Sequence, residues 1–177
     1  MRIESITREN LDDYKGMILP YIYDEFTGNG AELDTEFMGL SAVLDESDEG
    51  YDDAMKATGS VACASVLVVQ PEAEGDLNIV SIFTLPALRR RGYASALMDK
   101  ALFIARKMFI WDEEENESLI LFKTLYRIPD DIREVYEEFL MKNNFTDFIQ
   151  VETADNIPDD GLCLDVWSAS AEVKFYR

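Results

Sequence analysis

Three arginines and a glycine, Arg89-Arg90-Arg91-Gly92, separate an apolar run from an amphipathic one. The segment reads Leu77-Asn78-Ile79-Val80-Ser81-Ile82-Phe83-Thr84-Leu85-Pro86-Ala87-Leu88-Arg89-Arg90-Arg91-Gly92-Tyr93-Ala94. A buried strand stops at Pro86, a short loop follows, and a helix opens on Gly, Tyr, Ala and Ser. The first turn of a helix has backbone N–H groups without intrahelical partners, and its dipole favours anions. Gly92 puts no side chain in the way of a bulky ligand, and the small Ala94 and Ser95 keep the approach open. Strand, loop and helix together predict a phosphate cradle. A P-loop and a dinucleotide fold are excluded by spacing, since neither GxxxxGKS/T nor GxGxxG is present.

The chain has no histidine, which removes a Ser-His-Asp triad, a Cys-His pair and any imidazole base. A zinc site would need two distant cysteines and carboxylates, so no metal is expected. Proton transfer is left to Asp, Glu, Tyr, Lys, a thiol or water. Cys63 and Cys163 stand alone in strand-like stretches and read as buried free thiols in a reducing compartment. Met1-Arg2-Ile3-Glu4-Ser5-Ile6 lacks a basic-then-apolar leader, and no apolar run approaches the ~18 residues of a membrane span. A cytoplasmic location is expected. The net charge of −20 opposes nucleic acid, which calls for a basic face, and it opposes an anionic membrane. The charge is uneven. Arg2, Arg8, Lys15 and Lys56 are the basic residues before Arg89, and the rest of the 16 follow it. An anionic ligand therefore suits the second half, and a cationic one is drawn to the first.

The elements that must position the loop can be read from periodicity. The 177 residues fall in the single-domain range, so one domain over 1–177 is expected. Arg2 to Ile6 reads as an opening strand. A helix starts at Thr7 and runs to about Phe26 around a break at Pro20. Thr27-Gly28-Asn29-Gly30 is a turn, followed by a short helical segment near 31–37. Met38 to Leu44 and Ser60 to Val69 are strands, joined by an exposed loop at the acidic stretch Asp45 to Asp53. Leu77 to Leu85 is the third strand of that group. The helix after the loop, from about Ala94 to Ile110, carries Ala94, Leu97, Met98, Ala101, Ala105 and Met108 as a core-facing stripe. The acidic run 112–117 reads as a solvated loop. Ser118 to Tyr126 is a strand, Asp131 to about Lys142 a helix closed by Asn143-Asn144. Phe145 to Val151 and Leu162 to Trp167 are the last strands, with Glu172 to Tyr176 continuing them. Hairpins early and crossovers later imply a mixed sheet with helices packed on it.

In this context the sequence resembles the GNAT acyltransferase superfamily. That family's signature is a strand, then Pro-x-x-Arg-x-x-Gly-x-Gly/Ala, then an amphipathic helix. Pro86, Arg89, Gly92 and Ala94 occupy those positions without a gap. The resemblance spans nearly the whole chain, with residues 77–108 its specific part. It implies an α+β fold (α/β by some schemes): a mixed, mostly antiparallel central sheet of about six to seven strands, flanked by about four helices and splayed at its middle strands. It implies acetyl-CoA (acetyl-coenzyme A) as donor and a primary amine, on a small molecule or a peptide, as acceptor. Phe83, Thr84 and Leu85 would offer backbone groups to the pantetheine arm. Arg89, Arg90, Arg91, Gly92, Tyr93, Ala94 and Ser95 would surround the pyrophosphate. The thioester would sit between the strands ending at Leu85 and Tyr126.

The chain departs from the family at the catalytic positions. Where many members carry a glutamate, eleven residues ahead of the motif arginine, this chain has Asn78. An amide takes no proton at neutral pH but can orient a water or an amine. The family's usual acid is a tyrosine in Tyr-x-x-x-Gly-Phe, and alignment on Phe145 puts Leu140 there. Tyr136 lies one turn earlier on the same helical face, and Tyr126 ends the preceding strand. Acidic residues of the first half, such as Glu25 or Glu36, are the candidates for a base acting through water. The rival readings are a non-catalytic acyl-coenzyme A-binding or protein-interaction module with this fold, and a nucleotide-binding regulatory domain. Phe103 and Ile110 interrupt the polar face of the helix after the loop, as the covered surface of a homodimer would.

Overall fold

The computed structural model describes residues 1–27, 37–72, 76–109, 117–126, 130–151 and 166–176. The turn and short helix expected across 28–36, the acidic run 112–116, Ile110 and Cys163 lie outside them. Seven strands form one sheet: β1 (Arg2–Ile6), β2 (Met38–Val43), β3 (Cys63–Pro71), β4 (Leu77–Thr84), β5 (Glu117–Tyr126), β6 (Asp147–Val151) and β7 (Val166–Tyr176). Their order is β1-β2-β3-β4-β5-β7-β6. Among the described residues four α-helices accompany them: α1 (Pro20–Thr27), α2 (Tyr51–Thr58), α3 (Tyr93–Phe109) and α4 (Asp130–Lys142).

All strand pairs are antiparallel except β4 with β5. That parallel register joins Leu77 to Phe122, Asn78 to Lys123 and Ile79 to Thr124, and there it ends. β4 runs on to Thr84 and β5 to Tyr126 without pairing to each other, so the sheet opens between its middle strands. β3, the strand beside the opening, is buried on both faces. Leu67 and Val69 join a cluster with Leu97, Met98 and Ala101 of α3 and Leu140 of α4. Val66 and Val68 face the other way, against Leu11, Tyr14 and Ile22. Such two-sided burial accounts for the run Cys63–Val69, apolar except for Ser65.

Three elements differ from the sequence reading. The long first helix is replaced by one 3-10 turn, Leu11–Tyr14, and by α1 beginning at Pro20. Proline has no N–H to give to the preceding turn, so it starts a helix rather than bending one. The acidic stretch ends in a helix, α2. Tyr51, Ala54 and Met55 give it an apolar side that packs with Leu44, Ala62, Ala64 and Leu88. Its aspartates had hidden that stripe. The last strand is one piece, β7, whose register with β5 holds from Tyr126↔Trp167 to Glu117↔Tyr176.

Candidate active site

The loop expected to cradle phosphate is a 3-10 turn followed by two left-handed residues and a helix start. Pro86–Leu88 forms a 3-10 turn anchored by Leu88, which is fully buried. Arg90 and Gly92 take left-handed φ of 66° and 84°, and α3 begins at Tyr93. The first bond of the helix runs from Ala96 N–H to the Gly92 carbonyl, 3.0 Å. The N–H groups of Tyr93, Ala94 and Ser95 lie ahead of that ladder. A Cβ placed on Gly92 would meet nothing within 4 Å, so the loop leaves open space at the helix start.

Each arginine of the loop already has a protein partner. Arg89 Nε donates to the Thr84 carbonyl (3.3 Å), tying the loop to the end of β4. Arg90 pairs with Glu138 of α4 at 3.0 Å, and Glu138 also holds Lys142 at 2.9 Å. Arg91 pairs with Glu49 at 3.1 Å. Exposed pairs of this kind are worth about 0–1 kcal/mol, so an anion can exchange for either carboxylate at little cost. A cleft of about 480 Å³ flanks the helix start between Arg91, Gly92 and Tyr93 on one side and Asp48 and Glu49 on the other.

The end of β4 is held firmly on its β3 side. Ser65 Oγ donates to the Phe83 carbonyl (2.9 Å) and lies 2.8 Å from Thr84 Oγ1. Leu85 N–H donates to the Ala64 carbonyl, 3.0 Å. A bulge places Val80 as an extra residue between the pairs Val68↔Ser81 and Val69↔Ile79. On its β5 side, beyond Ile79, the edge of β4 has no partner strand among the described residues, the kind of edge along which an extended amide chain adds.

At the point where the strands part, Thr124 Oγ1 donates to the Ile79 carbonyl (3.4 Å) and lies 3.4 Å from the Tyr136 hydroxyl. Tyr136 meets Tyr126 edge-on, with ring centroids 5.0 Å apart, and stacks on Phe139 at 6.2 Å. Burial pushes the Tyr136 phenol above its ordinary range. Tyr126 donates its hydroxyl to Glu137 Oε1, 2.9 Å. Burial, then that carboxylate, hold the Tyr126 phenol well above its ordinary value.

The structure thus brings Tyr126 and Tyr136 together at the opening. It sets Asn78 apart from them. Leu77 and Ile79, its neighbours, face the core that contains Tyr126, so strand alternation turns Asn78 to the opposite face. Leu140, at the family's tyrosine position, is fully buried in the core. Glu25 lies on α1, and Glu36 is outside the described residues. Thr124 and Glu137 were not legible in the sequence, because both enter the site through contacts between β5 and α4. Phe103 is 50% exposed, with the amines of Lys107 and Lys100 4.4 and 5.2 Å from its ring centre. Among the described residues no helix is long and apolar enough to cross a membrane.

Comparison with solved structures finds the same fold across nearly the whole chain. IAA acetyltransferase from Bacillus cereus superposes with a TM-score of 0.60 at 12% identity, covering 97% of this chain and 99% of that one. A Bacillus subtilis acetyltransferase in complex with CoA gives 0.56 at 15% identity, with 97% and 98% covered. Arabidopsis thaliana NAA60 in complex with acetyl-CoA gives 0.58 at 9% identity, with 97% and 98% covered. No curated protein matches by sequence. The model of the acetyltransferase (GNAT) family matches residues 11–122, more than half of the chain, including β4, the arginine loop and α3. The chain belongs to the GNAT acetyltransferase family.

Proposed function

We propose that this acetyltransferase moves the acetyl group of acetyl-coenzyme A to a primary amine, and that the amine belongs to a cationic acceptor. The observation that carries the reading is the juxtaposition of two features. A helix start with leading N–H groups and open space at Gly92 stands next to a sheet that parts after Ile79 and Thr124. The residues present fit the donor. Tyr93, Ala94 and Ser95 would give N–H groups to the pyrophosphate, as helix starts do. Arg90 and Arg91 would exchange Glu138 and Glu49 for phosphate oxygens. The unpaired edge of β4 would take the amides of the pantetheine arm, with its reactive end near Tyr126 and Tyr136. Solved structures of the same fold are of a Bacillus subtilis acetyltransferase in complex with CoA and of Arabidopsis thaliana NAA60 in complex with acetyl-CoA, which supports the choice of donor.

Most of the catalysis follows from proximity, since a held amine and a held thioester react as one molecule. Tyr136, like any phenol, holds its proton at neutral pH, and burial raises it further; it would give that proton to the departing sulfur. The acidic first half of the chain supports a cationic acceptor by raising its local concentration. The test is a thermal melt with acetyl-coenzyme A, free coenzyme A and ATP, followed by thiol release with a panel of amines. Acetyl-coenzyme A at a hundredfold excess over its Kd should stabilise the fold by about 2.7 kcal/mol. Cationic amines should release thiol fastest, less so in high salt. A shift with ATP and none with acetyl-coenzyme A overturns the reading. Binding without turnover of any amine favours the non-catalytic module.

A further inference from the structure

Tyr126 and Glu137 form a hydroxyl–carboxylate pair at the mouth of the opening, and the family signature does not call for it. Tyr126 stands two residues beyond Thr124, where the pairing of β4 with β5 stops. Its side chain is buried, and its hydroxyl donates to Glu137 Oε1 at 2.9 Å. Arg133 Nε lies 3.7 Å from the same oxygen, while its guanidinium sits 4.6 Å over the ring of Trp167. Among the described residues the groups that face Glu137 are therefore Tyr126 from β5 and Arg133 from its own helix, with Tyr136 beside it on α4 and Trp167 of β7 beneath the arginine. The Glu137 side chain is 23% exposed, so water reaches it.

We propose that Glu137 is the proton sink of the transfer, acting through Tyr126: the hydroxyl oxygen of Tyr126 takes the proton from the acceptor's nitrogen as its own proton passes to Glu137. The proposal rests on the acetyl-transfer reading above. The balance closes. A bond forms between the acceptor's nitrogen and the acetyl carbon, and the bond from that carbon to sulfur breaks with its electron pair leaving on sulfur. The sulfur takes the Tyr136 proton, the nitrogen's surplus proton ends on Glu137, and exchange with solvent restores both groups. Tyr126 alone is a poor base at neutral pH, because ionising it there is opposed by burial and by the carboxylate. It needs a group to receive its proton in the same step. Asn78 cannot serve, being an amide on the opposite face. The chain has no histidine.

Glu137→Gln separates proton transfer from positioning. Among the described residues both contacts of Glu137 go to Oε1, which a glutamine retains as an acceptor, so that geometry is kept while the carboxylate that takes the proton is lost. The experiment measures thiol release with an amine the parent enzyme accepts, with acetyl-coenzyme A saturating, across pH. At neutral pH Glu137→Gln should lower kcat by about 10²-fold or more, with acetyl-coenzyme A affinity unchanged in a parallel titration. The deficit should shrink as pH rises and hydroxide replaces the missing base. Tyr126→Phe should show the same deficit, and the double variant should be no slower than either single one, as for residues acting as one unit. Glu137→Asp, which keeps a carboxylate, should recover part of the rate. A parent-like kcat in Glu137→Gln, a deficit constant with pH, or losses that multiply in the double variant would overturn the proposal while leaving acetyl transfer intact. If the parent enzyme itself turns over no amine, the acetyl-transfer reading fails and this proposal with it.

Discussion

Gly92 carries two demands that one substitution would confuse. Its φ of 84° is costly for a residue with a side chain, by about 1–2 kcal/mol in the left-handed region. The space beside it is open, so a side chain would meet a ligand before it met the protein. Gly92→Val strains the backbone and should lose both stability and acetyl-coenzyme A affinity. Gly92→Asn is the cleaner variant, because asparagine tolerates this conformation. It should melt near the parent temperature yet bind acetyl-coenzyme A more weakly in a titration; parent-like binding would move the ligand away from this loop. Tyr136 can be tested in the same way. Tyr136→Phe removes one hydroxyl, whose contact is Thr124 at 3.4 Å, and leaves the ring contacts with Tyr126 and Phe139. Thiol release should fall by at least about 10²-fold with cofactor affinity unchanged. An unaltered rate would hand the proton to water.

α2 is the element that ties the arginine loop to the first half of the sheet. Gly50, which precedes it, has φ 93°, and a Cβ there would stand 2.4 Å from Leu88 Cδ2. Leu88 is the loop's own buried anchor, and the turn before Gly50 supplies Glu49 to Arg91. Leu88→Ala should cost about 2–5 kcal/mol in urea unfolding, as for other buried leucines. Gly50→Ala should be destabilising through both the clash and the backbone. In the Leu88→Ala background the clash is gone, so the two changes should couple by about 0.5–3 kcal/mol. Additive losses would mean that the packing of α2 does not reach the loop.

The whole molecule responds to alkali through groups buried in its core. Burial pushes the Cys63 thiol from 9.0 up to about 12. The Tyr14 phenol is raised from 10.0 to about 12, chiefly by burial. In the unfolded chain both ionise at their ordinary values, while the folded chain keeps both protons. The folded state therefore binds more protons above pH 9, and stability falls as pH rises. Their contribution is complete below the ordinary values and is lost progressively up to about 12. Denaturant midpoints measured from neutral to alkaline pH should decline over that window. Cys63→Ala and Tyr14→Phe, whatever they cost at neutral pH, should each make the decline shallower. A decline of the same slope in both variants would place its cause in the repulsion among acidic residues of a chain with net charge −20.

The segment from β4 through α3 is legible in the order of its residues. Pro86, Gly92 and Ala94 act on their own backbone, and the stripe Leu97, Met98, Ala101 and Ala105, all buried, follows from the period of a single helix. Spacing within one element is enough to read such features. The acidic stretch before α2 misled for the same reason, since charge was on view and the partner of Ala54 was not. The resemblance implied a splay at the middle strands, and packing decided that β4 and β5 pair for three residues before they part. It decided that Asn78 turns away from Tyr126, and that Arg90 and Arg91 rest on Glu138 and Glu49 from distant elements. It set Tyr126 against Glu137 and Tyr136 across the contact of β5 with α4. These depend on which faces meet when strand and helix pack, and that is fixed by the burial of many residues together rather than by the spacing of any few.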